Sequence, residues 1–281
     1  MPIQVNLPDL PILEVLPQLR QGLSNHSKVV LTAPPGSGKT TVVPLALLDE
    51  PWLQGESIVM LEPRRLAARL SANRMADLLE QKTGRTVGYR IRHDNKVSAA
   101  TRIEVVTEGI LTRRLQHDPE LSGVGLVIFD EFHERSLQAD LALALCLDVA
   151  AGLRENLRIL VMSATLEAET LSDFLGDVPS VDGQMPQMQD EPEGPASRKR
   201  SPVVSGEGRS FPVEIRYLER ESEAYPVELT VSGVRRALGE RDGDVLVFLP
   251  GTGEIRRVHE KLGERLADGV AVRPLYANLT R

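Results

Sequence analysis

Between residues 29 and 163, short aliphatic runs that end in small or acidic residues alternate with longer stretches whose apolar positions recur at helical spacing. The runs 29–33, 57–61, 102–107, 125–130 and 158–163 predict strands, and 39–48, 64–81, 109–115 and 137–151 predict helices. Such alternation predicts an α/β fold, a parallel sheet with helices on both faces. The 137–151 stretch is apolar nearly throughout, so Cys146 within it reads as a small buried hydrophobe rather than a nucleophile. From Gly183 to Ser210 the pattern lapses: four Pro, four Gly and four Ser with almost no aliphatics predict a linker or surface insertion. Patterning resumes with strands over 213–218, 244–249 and 270–275 and helices over 227–238 and 254–266. The predicted organisation is a first domain over 1–182, a flexible linker over 183–210 and an incomplete second α/β unit over 211–281.

Composition narrows the class without changing that picture. A length of 281 residues leaves room for about two domains. Apolar residues at 41% and charged residues at 26% are ordinary globular values, which exclude wholesale disorder and fibrous classes. No run approaches the ~18 apolar residues of a membrane span. The first residues lack a basic signal-peptide region, and a single cysteine excludes an internal disulfide, so the cytoplasm is the expected compartment. A net charge of −7 argues against coating nucleic acid by bulk electrostatics, yet residues 62–92 carry +5 against −12 for the remainder. That segment is either a solvated helix face or a surface for phosphates.

Chemistry first emerges after the first predicted strand. Ala33-Pro34-Pro35-Gly36-Ser37-Gly38-Lys39-Thr40-Thr41 fits a P-loop with Ala in place of its first Gly. Glycines let backbone N–H groups turn in around a β-phosphate, a helix starting near Lys39 aims its positive end at the anion, and Lys39 reaches the β/γ oxygens of ATP. Thr40 is the Mg²⁺ ligand in such a loop. A ligand-free glycine turn explains the run less well, because it sits between a strand and a helix as phosphate binding requires. The strand over 125–129 then runs into Asp130-Glu131-Phe132-His133-Glu134-Arg135. An acidic pair at a strand's carboxyl end, beside a P-loop, reads as a Walker-B site in which Asp130 holds Mg²⁺ through water and Glu131 orients or deprotonates the attacking water. For His133 a structural role competes with a chemical one, and no second histidine at ligand spacing supports zinc.

At this point the chain resembles the DEAH-box helicases of superfamily two. Besides the P-loop and Asp130-Glu131-Phe132-His133, the resemblance is carried by Glu62-Pro63-Arg64-Arg65-Leu66-Ala67-Ala68, Gly88-Tyr89-Arg90-Ile91-Arg92, Thr107-Glu108-Gly109-Ile110-Leu111, Ser163-Ala164-Thr165 and Phe248-Leu249-Pro250-Gly251. It implies a RecA-like P-loop NTPase lobe followed by a partial second RecA-like lobe. It also implies that Arg64, Arg65, Thr107 and Gly109 contact one strand of nucleic acid, RNA or DNA. Ser163 and Thr165, joined by His133, would couple the state of the ATP to the gap between lobes. Phe132 replaces the alanine that names the family, a packing change rather than a chemical one. The family's arginine-rich motif, whose arginines reach the γ-phosphate, would lie beyond Arg281, so the chain is expected to be truncated within the second lobe.

Three functional classes follow. The first is an ATP-dependent helicase that moves along strands. With only ten aromatics in the chain, its grip should be mainly on phosphates and salt-dependent. The second is a P-loop phosphotransferase, which leaves Ser163-Ala164-Thr165 unexplained. The third is a chain that binds ATP and strands with little turnover.

Overall fold

The computed structural model describes residues 8–164, 168–176, 200–208, 212–217, 226–240, 242–263, 266 and 269–276. The chain divides into two compact units, residues 1–211 and 212–281.

The first unit is an eight-stranded sheet. Its strands are β1 (Lys28–Thr32), β2 (Ser57–Leu61), β3 (Val87–Ile91), β4 (Asp94–Lys96), β5 (Ile103–Val106), β6 (Val124–Phe129), β7 (Arg158–Ser163) and β8 (Val203–Ser205), in the order β4-β3-β5-β2-β6-β7-β1-β8. Only β3 and β4 pair antiparallel. All six residues of β6 are buried, because β2 and β7 flank it and helices cover both faces. Alternate residues feed two cores: Leu126 and Ile128 face one, Val127 and Phe129 the other. The first core is closed by α1 (Leu16–Asn25), α2 (Lys39–Leu47) and α3 (Arg65–Leu78). The second is closed by α4 (Glu108–His117), α5 (Leu137–Gly152) and α6 (Ala168–Leu175). Cys146 is buried on α5, and burial pushes its thiol up to about 12, which removes it as a nucleophile. Among the described residues, no helix is long and apolar enough to cross a membrane.

Three features depart from the sequence reading. The tail of the predicted linker is part of the sheet: β8 runs parallel to β1, with Val30 opposite Val203 and Thr32 opposite Ser205. The two valines of β8 were outweighed by surrounding Pro, Gly and Ser, yet one exposed edge of β1 suffices to order them. Strands β3 and β4 carry no aliphatic run, because Gly88 lets the chain pass close against the Lys96 carbonyl and Arg90 points out to Glu104. Helix α1 likewise went unread behind the prolines at its start.

The second unit contains α7 (Pro226–Glu240) and α8 (Thr252–Gly263). Val227, Val231 and Val234 of α7 meet Val258 and Leu262 of α8 in a small core, against which Val247, Leu249 and Val272 lie partly buried. The strands expected over 213–218, 244–249 and 270–275 do not form among the described residues, which join no ladder there. An apolar run makes a residue ready for a sheet, but a strand exists only through hydrogen bonds to a neighbour.

Candidate active site

The ends of β1, β6 and β7 converge, since β7 lies between the other two. Beyond β1 the chain turns through Gly36 (φ 77°) and Gly38 (φ 99°) into α2. Glycine is favoured at 38 by its left-handed φ, and a Cβ there would also crowd Leu10 Cδ1 at 2.7 Å and Ile12 Cγ2 at 3.2 Å. The segment before α1 thus braces the loop from behind, and the Ile12 N–H donates to Ser37 O at 3.2 Å. Gly38 O accepts from the N–H groups of Thr41 and Val42, while those of Lys39 and Thr40, in the first turn, have no intrahelical acceptor. Such a positive helix end suits an anion.

Lys39 is 3% exposed, and its Nζ pairs with Glu131 Oε1 at 3.0 Å. Glu131 adopts a left-handed backbone (φ 48°) that turns it out of line with β6 and over the loop. Asp130, 1% exposed, accepts the Glu131 N–H on Oδ1 at 2.9 Å, while Oδ2 and the Ser37 hydroxyl have no protein partner. Burial, joined by the charge of Glu131, raises the Asp130 carboxyl to about 6, against the lowering effects of the Thr40 hydroxyl and Lys39. His133 Nε2 stands 3.4 Å from Glu131 Oε2, and its Nδ1 accepts the Ala164 N–H at 3.3 Å. In the neutral ring that leaves the proton on Nε2, facing Glu131. Ser163 O accepts the Ala33 N–H at 3.1 Å, so the end of β7 is bonded to the phosphate loop and, through Ala164, to His133. Thr165 lies outside the described residues.

One residue of this site was missed. Glu62 follows β2 as Asp130 follows β6, and it is buried. Burial, then the charges of Asp130, Glu131 and Glu134, push its carboxyl up to about 8. Glu62 thus stands close enough to Asp130 to feel its charge, although β2 and β6 are far apart in sequence. The legible signal was position: an acidic residue at the carboxyl end of a buried strand.

The expected nucleic-acid residues separate. Arg65, Thr107 and Gly109 line one groove of about 710 Å³ with Pro63, Arg92 and Arg113. Arg64 is instead held by Glu134, Nε to Oε2 at 3.2 Å and Nη2 to Oε1 at 2.8 Å. Part of the +5 segment is also paired locally, Arg90 with Glu104 at 2.7 Å and Arg69 with Asp94 at 3.9 Å.

Residues 13–174 match the model of the DEAD/DEAH box helicase family. The chain belongs to that family. It is 50% identical over 271 residues to the ATP-dependent RNA helicase HrpB of Escherichia coli, covering 96% of this chain and 30% of that protein. It is also 33% identical to the human probable ATP-dependent RNA helicase DHX35, over 96% of this chain and 38% of that one. A crystal structure of the E. coli DEAH/RHA helicase HrpB superposes with a TM-score of 0.83 at 49% identity, covering 97% of this chain and 32% of that chain. The DEAD/DEAH member described here therefore spans about a third of the length of these relatives, and its first unit has their RecA-like fold.

Proposed function

We propose that the chain is the ATP-binding part of a DEAH-type, ATP-dependent RNA helicase, which hydrolyses ATP to move along or unwind strands. The observation that carries this reading is the 3.0 Å pairing of the phosphate-loop Lys39 with Glu131, one residue from the buried Asp130. Ala33 to Thr41 would hold the phosphates, with Lys39 and the free N–H groups of α2 supplying positive charge.

The donor set fits Mg²⁺. The Thr40 hydroxyl and the Asp130 carboxylate are hard oxygen donors, and the bare Oδ2 of Asp130 suits a metal-bound water. When bound, Mg²⁺ would neutralise charge on the transferring phosphoryl group. A phosphate that engages Lys39 competes with Glu131 for the ammonium. Glu131, released on one oxygen and still facing His133 on the other, is then placed to orient the attacking water. His133 serves as the link from that carboxylate to the end of β7, where Ser163 and Thr165 would carry the coupling between lobes.

Arg65, Thr107 and Gly109 support a strand partner held by phosphates, and RNA, on which the named relatives act, is the strand we propose. A cytosolic setting agrees with one free, buried thiol. The test is hydrolysis with and without single-stranded RNA. We expect stimulation by the strand, and Glu131→Gln to keep ATP binding while losing roughly 10²- to 10⁴-fold in turnover. Unchanged hydrolysis in the Gln variant would remove the Walker-B assignment.

A further inference from the structure

Two contacts cross the wall between the groove and the hydrolytic carboxylates. The first is the pair of Arg64 and Glu134. Arg64 is flanked by Pro63 and Arg65, which line the groove, whereas Glu134 lies three residues after Glu131. The second is the Ser136 hydroxyl, which donates to Glu108 Oε1 at 2.6 Å. Glu108 opens α4 beside Gly109 in the groove, and Ser136 caps α5 by accepting the Ala139 N–H at 3.0 Å. Behind the wall lies a cavity of about 70 Å³ bounded by Asp130, Glu131 and Glu134, and it shares Pro63 and Glu108 with the groove.

We propose that Glu134 is a positioning residue that holds Arg64 away from the strand, so that a strand phosphate must take Arg64 from it and strand binding is thereby felt at Asp130 and Glu131. The proposal rests on the strand and nucleotide sites given above. Three observations carry it. The guanidinium presents a fork that fits carboxylate and phosphate alike, and Glu134 occupies its Nε and Nη2 edge, one of the edges a phosphate would take for a bidentate contact. The pair is exposed, 72% for Arg64 and 33% for Glu134, so it is weak enough for a phosphate to displace. Glu134 also lines the same small cavity as Asp130 and Glu131. Removing Arg64 from Glu134 therefore returns a full negative charge to the edge of the hydrolytic site, a change that depends only on whether the groove holds a phosphate.

The test is a double-mutant cycle on the full chain, read by the affinity for a labelled 20-nucleotide single-stranded RNA and for a fluorescent ATP analogue. Glu134→Gln frees Arg64 and should tighten strand binding roughly 2- to 5-fold, the range expected from releasing an exposed ion pair. In an Arg64→Ala background the same substitution should gain nothing. Glu134→Gln should also shrink the difference that the strand makes to nucleotide affinity, an effect that a merely structural residue would not produce. An equal gain in both backgrounds, with Arg65→Ala still weakening the strand, overturns the Glu134 role and leaves the groove standing. Absence of strand binding by the unmodified chain overturns the groove reading and this inference with it.

Discussion

The two units are written in the same alphabet of short apolar runs and amphipathic helices, and they reach different ends. In residues 1–211 each run finds a neighbour: β6 is bonded on both sides, and even the three residues of β8 are held by β1. In residues 212–281 two helices share a small core, while Val213, Ile215, Tyr217, Leu246 and Phe248 remain largely exposed on runs that join no ladder. A helix closes its hydrogen bonds within itself, so periodicity suffices to specify it, whereas a strand is a property of a pair. The chemistry follows the sheet. Lys39, Asp130 and Ser163 are fixed because the ends of β1, β6 and β7 are fixed, and the second unit has no such platform among its described residues.

The largest effect should come from truncating the two cores in parallel. Leu126→Ala, in the central strand, should cost about 2–5 kcal/mol in urea unfolding followed by fluorescence, a clean probe of the first unit because Trp52 is the sole tryptophan. Leu262→Ala, on α8, should leave the Trp52 midpoint in place and lower only the helical signal of the second unit. Equal shifts of the Trp52 midpoint would mean that the units do not unfold separately.

Within the first unit, Gly38→Ala should cost about 1–3 kcal/mol and also remove nucleotide binding, because it meets both a left-handed backbone and the side chains of Leu10 and Ile12. Gly36→Ala meets no neighbour within 4 Å and should lose less stability, so the pair separates backbone strain from crowding.

A third effect, small per pH unit, is a pH slope. The Glu62 carboxyl is raised from 4.5 to about 8, so across that window the native state binds more protons than the unfolded chain, and stability falls as pH rises. The slope is at most about 1.4 kcal/mol per pH unit for one proton. Asp130 contributes only up to about 6, so Glu62→Gln should flatten the profile between pH 6 and 8. A slope that survives in the Gln variant would place its origin elsewhere.

Much of this architecture was legible in residues 29–163, where strand runs are fully buried and therefore uniformly aliphatic. The motifs after β1 and β6 could be picked out by their spacing, and the structure brings Lys39 and Glu131 of the two within 3.0 Å. What escaped depends on contacts distant in sequence. Glu62 became part of the site only when β2 came to lie beside β6, and β8 is a strand only because β1 has a free edge. The engagement of Arg64 by Glu134, 70 positions away, has no signature along the chain. The runs of the second unit erred in the opposite sense, since their pattern promised pairing that the described residues do not make.

The central claim is that the Lys39 ammonium, held by Glu131, is the phosphate-binding charge of the site. Titration of a fluorescent ATP analogue with Mg²⁺ into the chain and into Lys39→Ala tests it most directly. Loss of one charge-assisted contact should weaken binding roughly 10- to 150-fold. Equal affinities for the two proteins would contradict the account.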